Sequence, residues 1–425
     1  MPWHIYKTRS IDLLKLNVMY GANGAGKSNL IAALRHLRTF VIKGKMPIGL
    51  INQTFKFDEG SREKDVYLGV EFVQDDIPYY YGITINQGII VEEELQVSGL
   101  NKKEDLVLFR RTDSVDENNL KVEFAAEVQN DKEADLFVSF LENEILKRNQ
   151  PILHYMKNRR SKVFQIYRNA FLWFERVLEI ITPHSRPGGL PLQLELDPSF
   201  YQFVKNTMVT FNTGIRDILI EDIPVEEYFG ADNKAEVDRV VAEVKASQRK
   251  MKSLRTRHED VIFTLKDNKV VAKRIVFTHQ QDNGAIKFSP SEESDGTRRL
   301  LDYLPALYRV IYHSRIYFVD EIERSIHPLL IKELIDKFSK DQHTKGQLIF
   351  STHESNLLDQ DIFRTDEIWF AEKSKIGATQ LYPLSDFKEH HTIDIRKGYL
   401  SGRYGAIPFL GNLKDLNWDV YAEAN

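Results

Sequence analysis

Eight consecutive residues, Gly21-Ala22-Asn23-Gly24-Ala25-Gly26-Lys27-Ser28, have the types and order that cradle a chain of phosphates. Glycines let backbone N–H groups turn inward around phosphate oxygens, and a helix starting directly behind them points its positive end at the same anions. In this pattern the Lys27 ammonium neutralises the β- and γ-phosphates of ATP, and the Ser28 hydroxyl ligates Mg²⁺. A plain glycine-rich turn is the bland alternative. The flanks argue for the phosphate loop: Leu14, Leu16, Val18 and Tyr20 alternate as in a strand, and Leu30, Ile31, Leu34, Leu37 and Phe40 recur at helical spacing.

Three later segments supply the other parts that phosphoryl chemistry needs. The apolar run Ile316-Tyr317-Phe318-Val319 ends in Asp320-Glu321, as a buried parallel strand does when its tip reaches a ligand crevice. Asp320 is expected to hold Mg²⁺ and Glu321 to polarise the attacking water. Alone, the run fits a strand before a solvated turn equally well. The next strand, Gln347 to Thr352, stops at His353, whose imidazole is placed to sense a γ-phosphate; one helix lies between the two strands, as a βαβ crossover requires. Upstream, Ser294-Asp295-Gly296 opens a helix with Leu300, Leu301, Leu304 and Leu307 on one side. Ser294 offers a hydroxyl and Gly296 a close backbone approach to phosphate, although an N-cap with a glycine turn explains the segment by itself. The order of the four segments favours an ATP-hydrolysing machine.

In these motifs the chain resembles the ABC-class ATPases that include the SMC, RecF and OLD proteins. More narrowly, Gly21-Ala22-Asn23-Gly24, Glu293 through Leu301, Ser351-Thr352-His353 and Tyr399 through Pro408 resemble stand-alone bacterial ATPases of the RloA, AbiL and AriA type. The resemblance implies an α/β fold, a P-loop NTPase head of ABC type with a mixed sheet, an antiparallel β subdomain and an inserted helical lobe. It implies a head-to-head dimer, or a larger ring, in which Ser294 and Gly296 complete the partner's ATP site. It also implies a regulatory subunit for a separate effector, such as a TOPRIM-type nuclease, in anti-phage defence. Gln53 is the candidate Q-loop glutamine near the metal. Relatives usually carry more strand before the stretch equivalent to residues 4–20, which points to a shortened first sheet with Tyr6 as the candidate aromatic against adenine. A DNA-binding ATPase of RecF or SMC type, or an ATP-dependent scaffold with little turnover, are the alternatives.

Composition sets limits. The chain has 425 residues, a net charge of −4 and no cysteine, so it has no disulfide framework and no cysteine-based zinc site. Without a leader or a long apolar run it reads as soluble and cytoplasmic, without membrane contact. Alternation and turn residues between 66 and 97 predict an antiparallel meander, with turns at Asp75-Asp76 and Asn86-Gln87-Gly88. Helices are expected from about 134 to 145, over 163–181, near 200–213 and over 234–255, with strands at 261–265 and 269–277. This divides the chain into residues 1–130, an N-terminal lobe of the head; 131–260, a helical insertion; and 261–425, the C-terminal lobe.

Two basic clusters fall in the insertion, Lys157 to Lys162 and Lys245 to Arg257. They fit a solvated helix face, with nucleic acid or an acidic phage protein as the functional alternatives. Tyr399 to Pro408 reads as a docking turn fixed by Gly402 and Gly405. A built-in nuclease would need a second carboxylate constellation; Asp359-Gln360-Asp361 has the spacing, but fewer than seventy residues follow it.

Overall fold

Leu16, Val18, Met19 and Tyr20 are all buried, so the strand that delivers the phosphate loop, Leu16–Tyr20, is covered on both faces. It sits third in a six-stranded sheet ordered Thr379–Pro383, Ile368–Lys373, Leu16–Tyr20, Gln347–Ser351, Ile316–Val319 and Leu178–Ile181. Its pairings with Gln347–Ser351 and Ile368–Lys373 are parallel. Parallel strands buried on both sides favour largely apolar sequences, and these segments carry apolar centres, Leu348–Phe350 and Ile368–Ala371, with Asn17 the one polar residue inside Leu16–Tyr20.

The computed structural model describes residues 1–407 apart from 53–54, 114–119, 212, 231, 257–258, 282–283 and 388–392. Gln53, Arg257 and Pro408 therefore lie outside the described residues. Two compact units emerge: Met1–Ile180 with Phe318–Asp320 and Gln347–Asn425, and Ile181–Tyr317 with Glu321–Gly346. Among the described residues no helix is long and apolar enough to cross a membrane.

The first unit also holds the meander, strands Val66–Gln74, Ile77–Asn86, Ile89–Val97, Leu106–Asp113 and Leu120–Phe124 in sequential order. Its first two turns place consecutive residues at positive φ, Asp75 and Asp76 at 51° and 61°, then Gln87 and Gly88 at 45° and 79°. Those are the backbone values that match the twist of a two-residue hairpin. The meander is tied to the segment after it by a buried carboxylate: Glu93 accepts from the amides of Ile152 (2.8 Å) and Leu153 (3.2 Å) and from the Tyr81 hydroxyl (3.0 Å). Burial pushes the Glu93 carboxyl up, and the Arg111 guanidinium beside it works in the opposite direction.

In the second unit the strands run Ile215–Pro224, Lys269–Gln281, Asp260–Lys266 and Met251–Arg255, with Gly284–Phe288 paired to Lys269–Gln281. Helix Lys234–Ala246 places Val237, Val240 and Val244 against Val261, Phe263, Val270 and Ala272. The stretch 131–260 is thus mixed rather than uniformly helical. Helix Gln165–Leu172 passes into a π turn at Trp173–Val177 and a strand at Leu178–Ile181. The helix expected to reach 255 stops at Ala246; Lys250 takes a left-handed φ of 50°, and Met251–Arg255 joins the downstream hairpin as a strand.

Candidate nucleotide site

The phosphate loop is tight for two separate reasons. Gly24 and Gly26 adopt φ of 78° and 105°, which side chains rarely tolerate. The loop also packs against strands Ile368–Lys373 and Thr379–Pro383: a Cβ on Gly21 would lie 2.5 Å from the Ala371 carbonyl oxygen, and one on Gly26 would meet Thr379 Oγ1. Thr379 in turn donates to the Ala25 carbonyl at 2.9 Å. Neither Ala371 nor Thr379 carries a sequence signal that links it to the distant loop.

Helix Lys27–Lys43 begins directly behind the loop, with Gly26 as its N-cap. Lys27 is buried, and its ammonium donates to the carbonyls of Gly21 (2.7 Å) and Ala22 (3.3 Å), which keeps the cation against the loop. Ser28 Oγ donates to Asp320 Oδ1 at 3.1 Å, joining residues 292 positions apart. Asp320 is itself buried, and the same Oδ1 accepts from Ser351 Oγ at 2.6 Å. Hydroxyl and carboxylate oxygens are the hard donors Mg²⁺ prefers, so Ser28 and Asp320 fit that ion, with Ser351 orienting the carboxylate. Nothing in the spacing of Ser351-Thr352-His353 assigns Ser351 that role; it emerges only from the pairing of neighbouring strands.

The Thr352 amide donates to the Met19 carbonyl at 3.0 Å, which holds the end of strand Gln347–Ser351 beside the end of the P-loop strand; His353, next along, is exposed. Asp359 Oδ1 accepts from the Asp361 amide at 3.0 Å, so this pair closes its own turn. Among the described residues no three His, Cys, Asp or Glu side chains are grouped to hold a metal ion. Tyr6 is exposed on the short hairpin Ile5–Lys7 and Asp12–Leu14. Tyr399 and Tyr404 stack on Phe370, with centroids 5.7 and 5.6 Å away, and Gly402 and Gly405 sit at φ of 81° and 67°. That is the geometry of a docked turn.

The second unit carries the remaining motif residues. Glu321 takes φ of 50°, a left-handed value unusual outside glycine, and faces Arg324 at 4.0 Å. Ser294 Oγ accepts from the Thr297 amide at 3.1 Å and so caps helix Asp295–Tyr312. A Cβ on Gly296 would stand 2.8 Å from the Ser325 carbonyl oxygen. The loop in front of this helix is stapled by Arg298, which donates to the carbonyls of Pro290 (3.0 Å), Ser291 (3.2 Å) and Glu293 (2.7 Å) and to the Asp295 carboxylate. Arg299 stacks on Tyr303 and donates to the Ser185 and Thr182 carbonyls. In the sequence both arginines stand within the string Glu293 to Leu301, with no local signal for these structural uses.

Residues 16–359 match the family model described as "AAA domain, putative AbiEii toxin, Type IV TA system". The chain belongs to this family. Among curated proteins nothing matches. Among solved structures, this AAA-domain chain is similar to an Smc head bound to the C-winged helix domain of ScpA, at 12% identity over 91% of this chain and 98% of that one, with a TM-score of 0.34. It is similar to the SMC head domain from Thermotoga maritima, at 11% identity over 89% and 96%, TM-score 0.34. A Pyrococcus furiosus Smc head with an extended coiled coil, bound to the C-terminal domain of ScpA, gives 11% identity over 91% and 98%, TM-score 0.31.

Proposed function

We propose that the chain binds ATP with Mg²⁺, hydrolyses it, and works as a nucleotide-gated dimer or larger ring that regulates a separate effector nuclease in bacterial anti-phage defence. The observation that carries the nucleotide reading is the meeting of Ser28 and Asp320 directly behind the phosphate loop. Such a pairing has no evident use in a merely structural glycine turn.

When bound, Mg²⁺ supplies neutralising charge at the β- and γ-phosphate oxygens. The loop amides and Lys27 bind and orient the phosphates. Ser28 and Asp320 present oxygens to the ion, and Ser351 fixes the carboxylate. Glu321 takes the proton of the attacking water, and His353 donates a hydrogen bond where the γ-phosphate lies. Ser294 and Gly296 act on the phosphates of a second copy. The defence setting draws on the family description, which names a toxin and a toxin–antitoxin system, and the separate effector draws on the sequence resemblance to defence ATPases.

Lys27→Ala is expected to lose ATP binding, and Glu321→Gln to bind ATP while turning over about 10²- to 10⁴-fold more slowly. Equilibrium binding and phosphate release measure the two effects separately. Turnover at the parent rate by Glu321→Gln overturns the general-base assignment. The Glu321→Gln chain, held in its ATP state, is also the bait for the effector: a nuclease retained with ATP and released without it supports the regulatory reading, and equal retention in both states removes the nucleotide gate.

A further inference from the structure

Four cations, Lys157, Arg160, Arg168 and Arg176, converge on a cleft of about 300 Å³ whose lining contains one acid, Glu175. The local balance is +3 in a chain whose net charge is −4. Lys157 comes from the 3₁₀ turn Met156–Asn158, Arg168 from helix Gln165–Leu172 and Arg176 from the π turn Trp173–Val177. All belong to the first unit.

Nearby cations already have internal uses. Arg159 lies over the Phe137 ring at 4.2 Å, Arg176 pairs with Glu175 at 3.2 Å, and Lys157 donates to His154 Nε2 at 3.2 Å. Burial, with Lys157 adding to it, holds His154 below the usual histidine range and so keeps that nitrogen an acceptor. Arg160 and Arg168 differ. Among the described residues their side chains make no hydrogen bond or ion pair, and Arg168 is half-buried with its Nε shielded and unpartnered. A partly desolvated guanidinium without a counter-charge is costly, and an anion in the cleft removes that cost.

The cations are also held in place. Trp173 stacks on Phe72 at 4.2 Å, the Tyr79 hydroxyl donates to the Ile166 carbonyl at 3.1 Å, and the Tyr167 hydroxyl donates to the Leu108 carbonyl at 2.8 Å. No aromatic ring lines the cleft to stack a base. We infer that this cleft is a second anion site, separate from the nucleotide loop, which binds two or more adjacent phosphates and reads charge rather than base. A nucleic-acid backbone and a free oligophosphate share that chemistry.

The test uses the full chain carrying Lys27→Ala, so that the nucleotide loop does not take the probe. Inorganic tripolyphosphate is titrated by calorimetry, and a labelled short DNA duplex by anisotropy across a salt series. Binding of either probe, weakened about tenfold or more by Arg160→Gln with Arg168→Gln, supports the site. If the duplex binds, its log–log salt slope should fall by about 0.9 for each phosphate that the replaced arginines no longer neutralise. Duplex binding identifies a backbone as the source, and tripolyphosphate binding alone identifies a free oligophosphate. Arg160→Gln by itself, at an exposed position, repeats the measurement without touching the half-buried guanidinium, and thermal melting confirms that both variants fold. No binding of either probe by the Lys27→Ala chain, or equal binding by the folded variants, overturns the inference.

Discussion

One carboxylate oxygen of Asp320 accepts hydrogen bonds from two serines, Ser28 and Ser351, and the two bonds have different consequences. In the proposed site Ser28 gives its oxygen to Mg²⁺, whereas Ser351, buried on the neighbouring strand, orients the carboxylate. Removing it should free the Asp320 rotamer without removing the metal's oxygens. Ser351→Ala is therefore expected to raise the Mg²⁺ concentration that half-saturates ATP turnover by about tenfold, in the range seen when outer-shell partners of a metal ligand are removed, with the rate at saturating Mg²⁺ near that of the parent. A Mg²⁺ titration of phosphate release measures this, and an unchanged half-saturation would show that Asp320 is positioned without Ser351. The contrast also explains what the sequence conceals. Lys27, Ser28 and Asp320 are legible because local spacing encodes the phosphate loop and the strand tip. Ser351, Thr379 and Ala371 matter through packing across strands, which spacing does not record.

At the scale of elements, local chemistry is readable wherever one segment decides its own shape. The meander turns at Asp75-Asp76 and Gln87-Gly88 fall where Asp and Gly permit left-handed backbone, with Gln87 sharing the second turn, and the strands before Gly21 and Asp320 fall on apolar runs that are buried on at least one face. Segments whose shape depends on a partner strand are not readable in this way. Ile215–Pro224 pairs with the distant Lys269–Gln281, and Met251–Arg255 pairs in a hairpin with Asp260–Lys266, so strand pairing overrides the helical spacing suggested by 234–255. Helix Asp295–Tyr312 carries an electrostatic strain of its own. Burial raises the Asp302 carboxyl from 3.8 to about 6, with Arg186 and Arg299 opposing and Asp260 adding to the rise. A folded-state value above the unfolded one means full stability below pH 4, progressive loss as pH climbs from 4 to 6, and a constant penalty above. The shift corresponds to about 3 kcal/mol. Asp302→Asn, which cannot ionise, should gain that much over the parent chain between pH 4 and pH 7. Denaturant unfolding of both chains across this range checks it; a difference independent of pH would mean that Asp302 is charged in the fold without cost.

For the whole molecule, the division of motifs between the two units has a functional reading. The phosphate loop, Asp320 and His353 belong to one unit, and Ser294 and Gly296 to the other. Within its own chain Ser294 caps its helix through its hydroxyl, and a Cβ on Gly296 would stand close to the Ser325 carbonyl. If the signature acts on a second copy, two damaged chains should repair each other. A Lys27→Ala chain keeps a sound signature, and a Gly296→Asp chain keeps a sound phosphate loop. The aspartate both pushes against the Ser325 carbonyl and sets a negative charge against phosphate in a closed interface, where like charges repel strongly. In an isologous dimer, random pairing of the two chains makes half the dimers mixed, with one complete site in each, so about a quarter of all sites become functional. Equal mixing of the two inactive proteins should therefore restore about a quarter of the parent ATPase rate if the sites act independently. Thermal melting of Gly296→Asp shows whether it folds, and Ser294→Ala, which costs about 1 kcal/mol through removal of the cap, provides a milder signature lesion for the same mixture. Mixed dimers that form and yet stay inactive with both signature variants would confine Ser294 and Gly296 to starting their own helix.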